Sequence, residues 1–236
     1  MSELASHYVF GVNIIDYLTS ISGYQVVTTH MGYFLEGALL TLEITVLSLL
    51  IGMVLGLIAG LFKMSRSKIL YAIATAYIDF FRGTPLYVQI LLIYFGILPM
   101  IFEAEPFTAA IIACSLNSGA YIAEIVRAGI QAVDKGQTEA ARSLGMNKRE
   151  TMTYVVLPQA YKIVVPPLIN EFIAVLKDTS LVAVISAEEL TLRGKLLYST
   201  TFEAAWIWGT VAVIYFIMTK ILSVLGDYVE RRMATE

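Results

Sequence analysis

Glu171 is a carboxylate with no cation within a helical turn on its N-terminal side, and Lys177, six residues later, does not share its helical face. Asn170 beside it adds a hydrogen-bond donor and an acceptor. Both lie in an apolar stretch that begins near Tyr154. An ionised group at such a depth costs at least ~2.5–3.5 kcal/mol on insertion scales, so it needs a partner, a cavity or a place near the end. A lone carboxylate beside an amide in a membrane cavity suits a cationic group, such as an α-ammonium or a guanidinium. The competing reading is an interhelical hydrogen bond. Asn117, midway along another apolar stretch, and Glu43, early in the first, are candidates for the same work. Asp79 with Arg82 and Glu124 with Arg127 are each three apart and read as helix-surface ion pairs. Lys177–Asp178 reads as structural, and Glu36 as an interfacial residue.

Other chemistries lack their residues. The only histidines, His7 and His30, form no HExxH pair, and Asp79 is the only aspartate well inside an apolar stretch. An intramembrane zinc or aspartyl protease is therefore not supported. No GxxxxGK[ST] phosphate loop occurs, so nucleotide bound by that route must sit on another chain. Nothing resembles the carbonyl filter loop of a channel. No metal site or cofactor is expected on this chain.

The elements that position these residues follow from composition. Of 236 residues, 58% are hydrophobic and 15% charged, with mean hydropathy +0.73. That excess over an ordinary soluble domain points to lipid as the main solvent. The single cysteine, Cys114, excludes an internal disulfide, and the net charge of −3 offers nothing to nucleic acid. A helix needs about 20 apolar residues to cross the hydrocarbon. Five spans satisfy this, near Tyr33–Phe62, Ile69–Leu98, Pro106–Ile130, Tyr154–Leu176 and Glu203–Gly226. The expected fold is thus an all-α integral membrane protein. Arg82-Gly83-Thr84-Pro85 interrupts the second span, because proline removes a donor and clashes with the preceding turn; one kinked or broken helix is expected there.

Positive charge in short loops orients the spans. Lys63, Arg66 and Lys68 lie on one loop without an acid, and Glu103 and Glu105 on the next without a base. The first 32 residues hold no Lys or Arg, and Arg231 and Arg232 close the chain. The N-terminus is expected outside and the C-terminus inside, with 131–153 cytoplasmic. The start, MSELASHYVF, lacks a basic signal-peptide region, so the first span is expected to direct insertion. Residues 1–32 read as an external segment in which 8–21 is either an interfacial amphipathic helix or a loosely ordered leader. Residues 33–230 form the transmembrane domain, and 231–236 a cytoplasmic tail.

Gly52, Gly56 and Gly60 recur every fourth residue and predict a close helix contact, within the subunit or to a second copy. Trp206, Trp208 and Tyr228 fit interfacial anchors. Pro166-Pro167 and the Arg82–Pro85 run are candidate hinges or fixed bends.

Between the third and fourth spans the chain reads QTEAARSLG from Gln137 to Gly145. Thr138 is the expected N-cap, Glu139 suits the first turn, and Ala140, Ala141 and Leu144 make a small apolar patch. Gly145 can take the left-handed conformation that ends a helix. A short helix with an abrupt stop results, able to sit in a partner's groove or to serve as an ordinary loop helix.

This segment, EAARSLGMNKRETMTYVVLP from Glu139 to Pro158, resembles the EAA loop of the membrane subunits of bacterial ABC importers. Glu139, Ala140, Ala141, Gly145, Leu157 and Pro158 fall in place, and Val155 stands where that family usually has Ile. Asp79–Pro85, Ala120–Glu124, Gly136-Gln137, Leu157–Ala160 and Lys177–Leu181 extend the likeness to the polar amino-acid permeases over roughly 33–226. The resemblance implies a type I importer permease driven by alternating access. It implies that Glu139, Ala140, Ala141, Leu144 and Gly145 contact an ATPase subunit dimer, which carries ATP and Mg. It also implies a second permease copy or related permease, an extracytoplasmic substrate-binding protein and a polar amino-acid substrate. Glu171 tilts that substrate toward a basic one; an importer of another small polar solute is the alternative.

Overall fold

The computed structural model describes residues 8–9, 12–13 and 21–234. Most of the 8–21 stretch lies outside the described residues. Four of its residues pair as two-residue antiparallel strands, β1 (Tyr8–Val9) and β2 (Val12–Asn13). Otherwise the described chain is helical. Its elements are α1 (Ile21–Thr29), α2 (Met31–Lys63), α3 (Lys68–Gly83), α4 (Leu86–Leu91), α5 (Pro106–Ala132), α6 (Lys135–Ser143), α7 (Lys148–Glu150), α8 (Leu157–Asp178), α9 (Leu190–Thr201) and α10 (Ala204–Ala234). Wider π turns extend α4 over Leu92–Ile97 and lead into α8 over Thr151–Val156. A 3-10 segment, Thr179–Ile185, follows α8.

Among the described residues, α2, α5 and α10 are long and apolar enough to cross a membrane. The pair α3 and Leu86–Met100 would make one more, bent by 110° at the break. The break falls at Thr84-Pro85, as proline chemistry requires. α8 is long enough, but Lys162, Asn170, Glu171 and three prolines dilute its apolar character. The helix passes through Pro166 and Pro167 without interruption.

α2 and α5 run parallel and carry the centre of the fold. A Cβ at Gly56 would lie 2.9 Å from the Gly119 carbonyl oxygen, and one at Gly60 would lie 2.9 Å from that of Ala123. Gly52 faces Ser118 and Gly119 in the same seam. The glycine stripe therefore packs against α5 within the chain. Small residues let the backbones meet, so dispersion contacts replace the hydrophobic drive that lipid does not supply. Gly56→Val forces a branched side chain into this seam. Overpacking of this kind costs about 1–3 kcal/mol. A fall in the Tm of the purified protein by several degrees is expected; an unchanged Tm would show that the helices separate freely.

α8 runs antiparallel to α5, with Ala160 beside Gly129 and Val175 beside Leu49 and Ile122. α10 returns along α8, where Gly226 faces Ile169, and Ile207 packs with Phe34 and Leu176. This winding gathers the Lys63–Lys68 loop, α6 and the end of α10 at one end of the bundle. It gathers the Met100–Pro106 loop and α9 at the other.

α9 had no expectation attached to it. Glu189, fully buried, caps it by accepting hydrogen bonds from the Thr191 and Leu192 backbone N–H groups at 2.8 and 2.9 Å. Tyr215 donates to the same carboxylate at 2.8 Å. Arg193 ties α9 to α2 through the Tyr33 carbonyl at 3.0 Å and Glu36 at 2.6 Å. Glu36 is thus an ion-pair partner, not a free interfacial residue.

Candidate functional site

Two regions hold the candidate residues. The first is a cavity of about 310 Å³ where the α3–α4 break meets α5 and α8. Thr84, Pro85, Asn117, Tyr121, Glu171 and Asp178 line it. Glu171 and Asp178 are seven residues apart, two helical turns, so one face of α8 presents both carboxylates. Val175, between them, packs beside Leu49, near the middle of α2, so the cavity sits at mid-depth in the bundle.

Of the four residues expected to bind substrate, Glu171 and Asn117 line this cavity; Asn170 and Glu43 do not, and both are exposed. Asn170 follows α8 round to a different face from Glu171, because successive helical residues are about 100° apart. Lys177–Asp178 reads as structural in the sequence; in the fold Asp178 lines the cavity with Glu171. Lys177 turns to a separate cavity with Lys220, Thr219 and Ser223. Lys220, well inside α10, had no expectation attached to it.

The polar side chains of the cavity are two carboxylates, one amide and the hydroxyls of Thr84 and Tyr121. Asn117 uses its Nδ2 to donate to Gln89 Oε1 at 2.9 Å and to the Phe81 carbonyl at 3.3 Å. Its Oδ1 is left as an acceptor. The Thr84 hydroxyl donates to the Phe80 carbonyl at 2.8 Å and accepts from Gln89 Nε2 at 2.8 Å. Among the described residues, no lysine or arginine lines the cavity. Arg82 stands behind Tyr121, its guanidinium 5.4 Å from the ring centroid. Two carboxylates and an amide oxygen are therefore available as hydrogen-bond acceptors in this cavity.

Arg82 also corrects an expectation. It approaches Glu124 on α5 at 3.8 Å and makes no pair with Asp79, which approaches Lys63 at 3.8 Å. Glu124 gathers Arg127 at 2.7 Å, as the i,i+3 spacing predicts, and Lys63 at 2.9 Å. One carboxylate thereby ties α2, α3 and α5 together at the basic end of the bundle.

The second region is α6. Asp134, not Thr138, caps it, accepting from the Gly136 N–H at 2.7 Å. The helix starts earlier than expected because Asp134, two residues beyond the end of α5, is the better cap. Glu139 consequently lies mid-helix rather than in the first turn. The stop falls where the sequence places it. Gly145, at φ +90°, donates to the Arg142 carbonyl at 3.0 Å, and Met146 to that of Ala141 at 3.2 Å. This pair of bonds closes the helix around a left-handed residue. Asn147 and Glu150 then form a reciprocal capping box that starts α7. The expected patch divides: Ala141 is buried against the bundle, whereas Glu139 and Ala140 are exposed and Leu144 is 86% exposed.

The family described as "Binding-protein-dependent transport system inner membrane component" matches residues 52–235. The chain belongs to that family. The permease is 45% identical over 202 residues to the glutamine transport system permease protein GlnP of Escherichia coli (strain K12), covering 84% of this chain and 92% of that one. It is 39% identical over 202 residues to the arginine transport system permease protein ArtQ of Bacillus subtilis (strain 168), covering 85% and 92%. A solved structure named "Crystal structure of an amino acid ABC transporter with histidines" superposes with a TM-score of 0.84 at 45% identity, covering 87% of the permease and 96% of that chain. The MetNI methionine ABC transporter in an inward-facing conformation shares the fold at 23% identity, with a TM-score of 0.74. An inner-membrane location follows from the family and agrees with the apolar helices.

Proposed function

We propose that this permease carries polar amino acids bearing a positively charged group through an ATP-driven importer, and that the Glu171 cavity receives that group. The observation that carries this reading is the set of acceptors in the cavity: two carboxylates and the Asn117 oxygen, with no cation among the lining residues. Every amino acid offers an α-ammonium there, and a basic one offers a second cation. Relatives named for glutamine and for arginine are both compatible with it.

In this reading five spans cross the membrane: α2, the broken α3–α4 pair, α5, α8 and α10. The N-terminal side lies outside and the C-terminus inside. Lys63, Arg66, Lys68, Arg231 and Arg232 gather at one end of the bundle, while Glu103 and Glu105 lie at the other, which supports that orientation. α6 then faces the cytosol and seats in a separate ATPase that holds ATP and Mg. Closure of the ATPase pushes Leu144 and Gly145, and the rigid cap behind them passes the movement to α5 and α8. A second permease, identical or related, completes the pathway, and an extracytoplasmic binding protein delivers the substrate.

The test is uptake into proteoliposomes holding permease, ATPase and binding protein, with L-arginine, L-glutamine and L-glutamate compared. Uptake that requires ATP hydrolysis and favours the first two over L-glutamate is expected. Uptake independent of hydrolysis would make the protein a channel, and preference for L-glutamate would overturn the reading of the cavity.

A further inference from the structure

The helical break does more than bend the chain. Ending α3 at Gly83 leaves its last carbonyls without helical partners, and Pro85 has no N–H to offer. Side chains satisfy them. Gln89, only 1% exposed, donates from Nε2 to the Phe81 carbonyl at 2.8 Å, the Thr84 carbonyl at 2.9 Å and the Thr84 hydroxyl oxygen at 2.8 Å. Two backbone carbonyls on one side leave this amide one orientation, since turning it over would set Oε1 against both. Its Oε1 is thereby aimed at Asn117, which must answer with Nδ2. The Phe81 carbonyl imposes the same choice on Asn117 from a second direction. Asn117 Oδ1 is what remains for the cavity. The amide of Asn117 alone could present either a donor or an acceptor. The neighbours of Gln89, one step removed, remove that freedom.

We propose that Gln89 is a positioning residue that sets the hydrogen-bond polarity of the Glu171 cavity, holding Asn117 so that the site selects an ammonium or guanidinium donor. This rests on the reading of the cavity as the substrate site. Gln89 does not line the cavity; it acts through Asn117 and also holds Thr84 in place. With Gln89 apolar, only the longer 3.3 Å contact to the Phe81 carbonyl still orients the Asn117 amide, so a donor turns toward the cationic group more readily and the site loses acceptor character.

The experiment is a double-mutant cycle on the assembled transporter, with uptake of whichever of L-arginine and L-glutamine the wild type takes up faster. Gln89→Met should raise KM about tenfold, the worth of one hydrogen bond to a charged group. Its kcat should stay within about twofold, because ATPase contact and alternating access are untouched. Asn117→Asp alone should also raise KM, since an acidic oxygen would then face Gln89 Oε1 and the Phe81 carbonyl. Combined with Gln89→Met, Asn117→Asp should bring KM at least about threefold below that of Gln89→Met alone, because aspartate shows only acceptors however it turns and only the Phe81 carbonyl then opposes it. A role in packing alone would not be rescued this way, and a double variant no better than Gln89→Met overturns the proposal. If Gln89→Met does not assemble, Gln89→Glu serves instead. Its buried neutral acid keeps one donor and one acceptor, so KM should stay near wild type; a tenfold rise in the assembled variant overturns the proposal. Failure of the cavity reading itself shows separately, as an unchanged KM in Glu171→Gln.

Discussion

Glu171→Gln is expected to lower kcat/KM for a cationic amino acid by about 10- to 100-fold, matching the ~1.5–3 kcal/mol of a hydrogen bond to a charged group. Glutamine keeps the shape of the side chain and one acceptor oxygen but discards the charge. Glu171 forms no ion pair among the described residues, so its replacement strands no buried partner there. Assembly with the ATPase should therefore be normal, and co-purification of the subunits checks it. Asp178 faces the same cavity and should sustain the residual transport. Glu171→Gln with Asp178→Asn should cost more than the sum of a loss at each, because the two carboxylates cover for one another. Unchanged uptake kinetics in the single variant would remove Glu171 from the site.

Leu144→Glu should abolish productive contact with the ATPase while leaving the permease folded. Leu144 is 86% exposed, so its side chain contributes almost nothing to the stability of this chain. An apolar side chain held out at the tip of a rigid turn suits a pocket on a partner. Central anchors of that type contribute about 2–4 kcal/mol, or roughly 30- to 1,000-fold in affinity. A carboxylate there must be desolvated to enter the same pocket, which raises the cost. The measurement is ATPase co-purification together with substrate-stimulated hydrolysis. Ala141→Glu should differ in kind: Ala141 is 5% exposed and packed inward, so the acid there should detach α6 from the bundle and lower Tm. Normal co-purification of the Leu144 variant would move the docking surface elsewhere.

Much of this architecture was legible in the sequence because its causes are local. Apolar length marks α2, α5 and α10; Pro85 marks the break; Gly145 marks the end of α6. The glycine stripe announced a close contact, and the fold supplied its partner on α5. What stayed hidden depends on distance along the chain or on rotation about a helix axis. Gln89 and Asn117 are 28 residues apart, so nothing in either neighbourhood announces their hydrogen bond. Asn170 and Glu43 are polar residues in apolar stretches, yet which way each faces depends on packing that composition does not specify. Asp178 was legible in principle, since seven residues return a helix to the same face, but its adjacent lysine drew the assignment away. α9 escaped because its anchors, Glu189 and Arg193, find their partners on α2 and α10.

The seam between α2 and α5 has a consequence for how such permeases diverge. Residues Leu50, Val54, Leu57, Ile58 and Leu61 look outward from α2, and lipid tails accept any greasy shape. Drift there should be rapid. At Gly52, Gly56 and Gly60, even a methyl group meets another backbone or side chain, so those three places should stay fixed while their lipid-facing neighbours turn over. Across relatives, α2 should therefore show one nearly frozen edge and one that changes almost at random within the apolar alphabet.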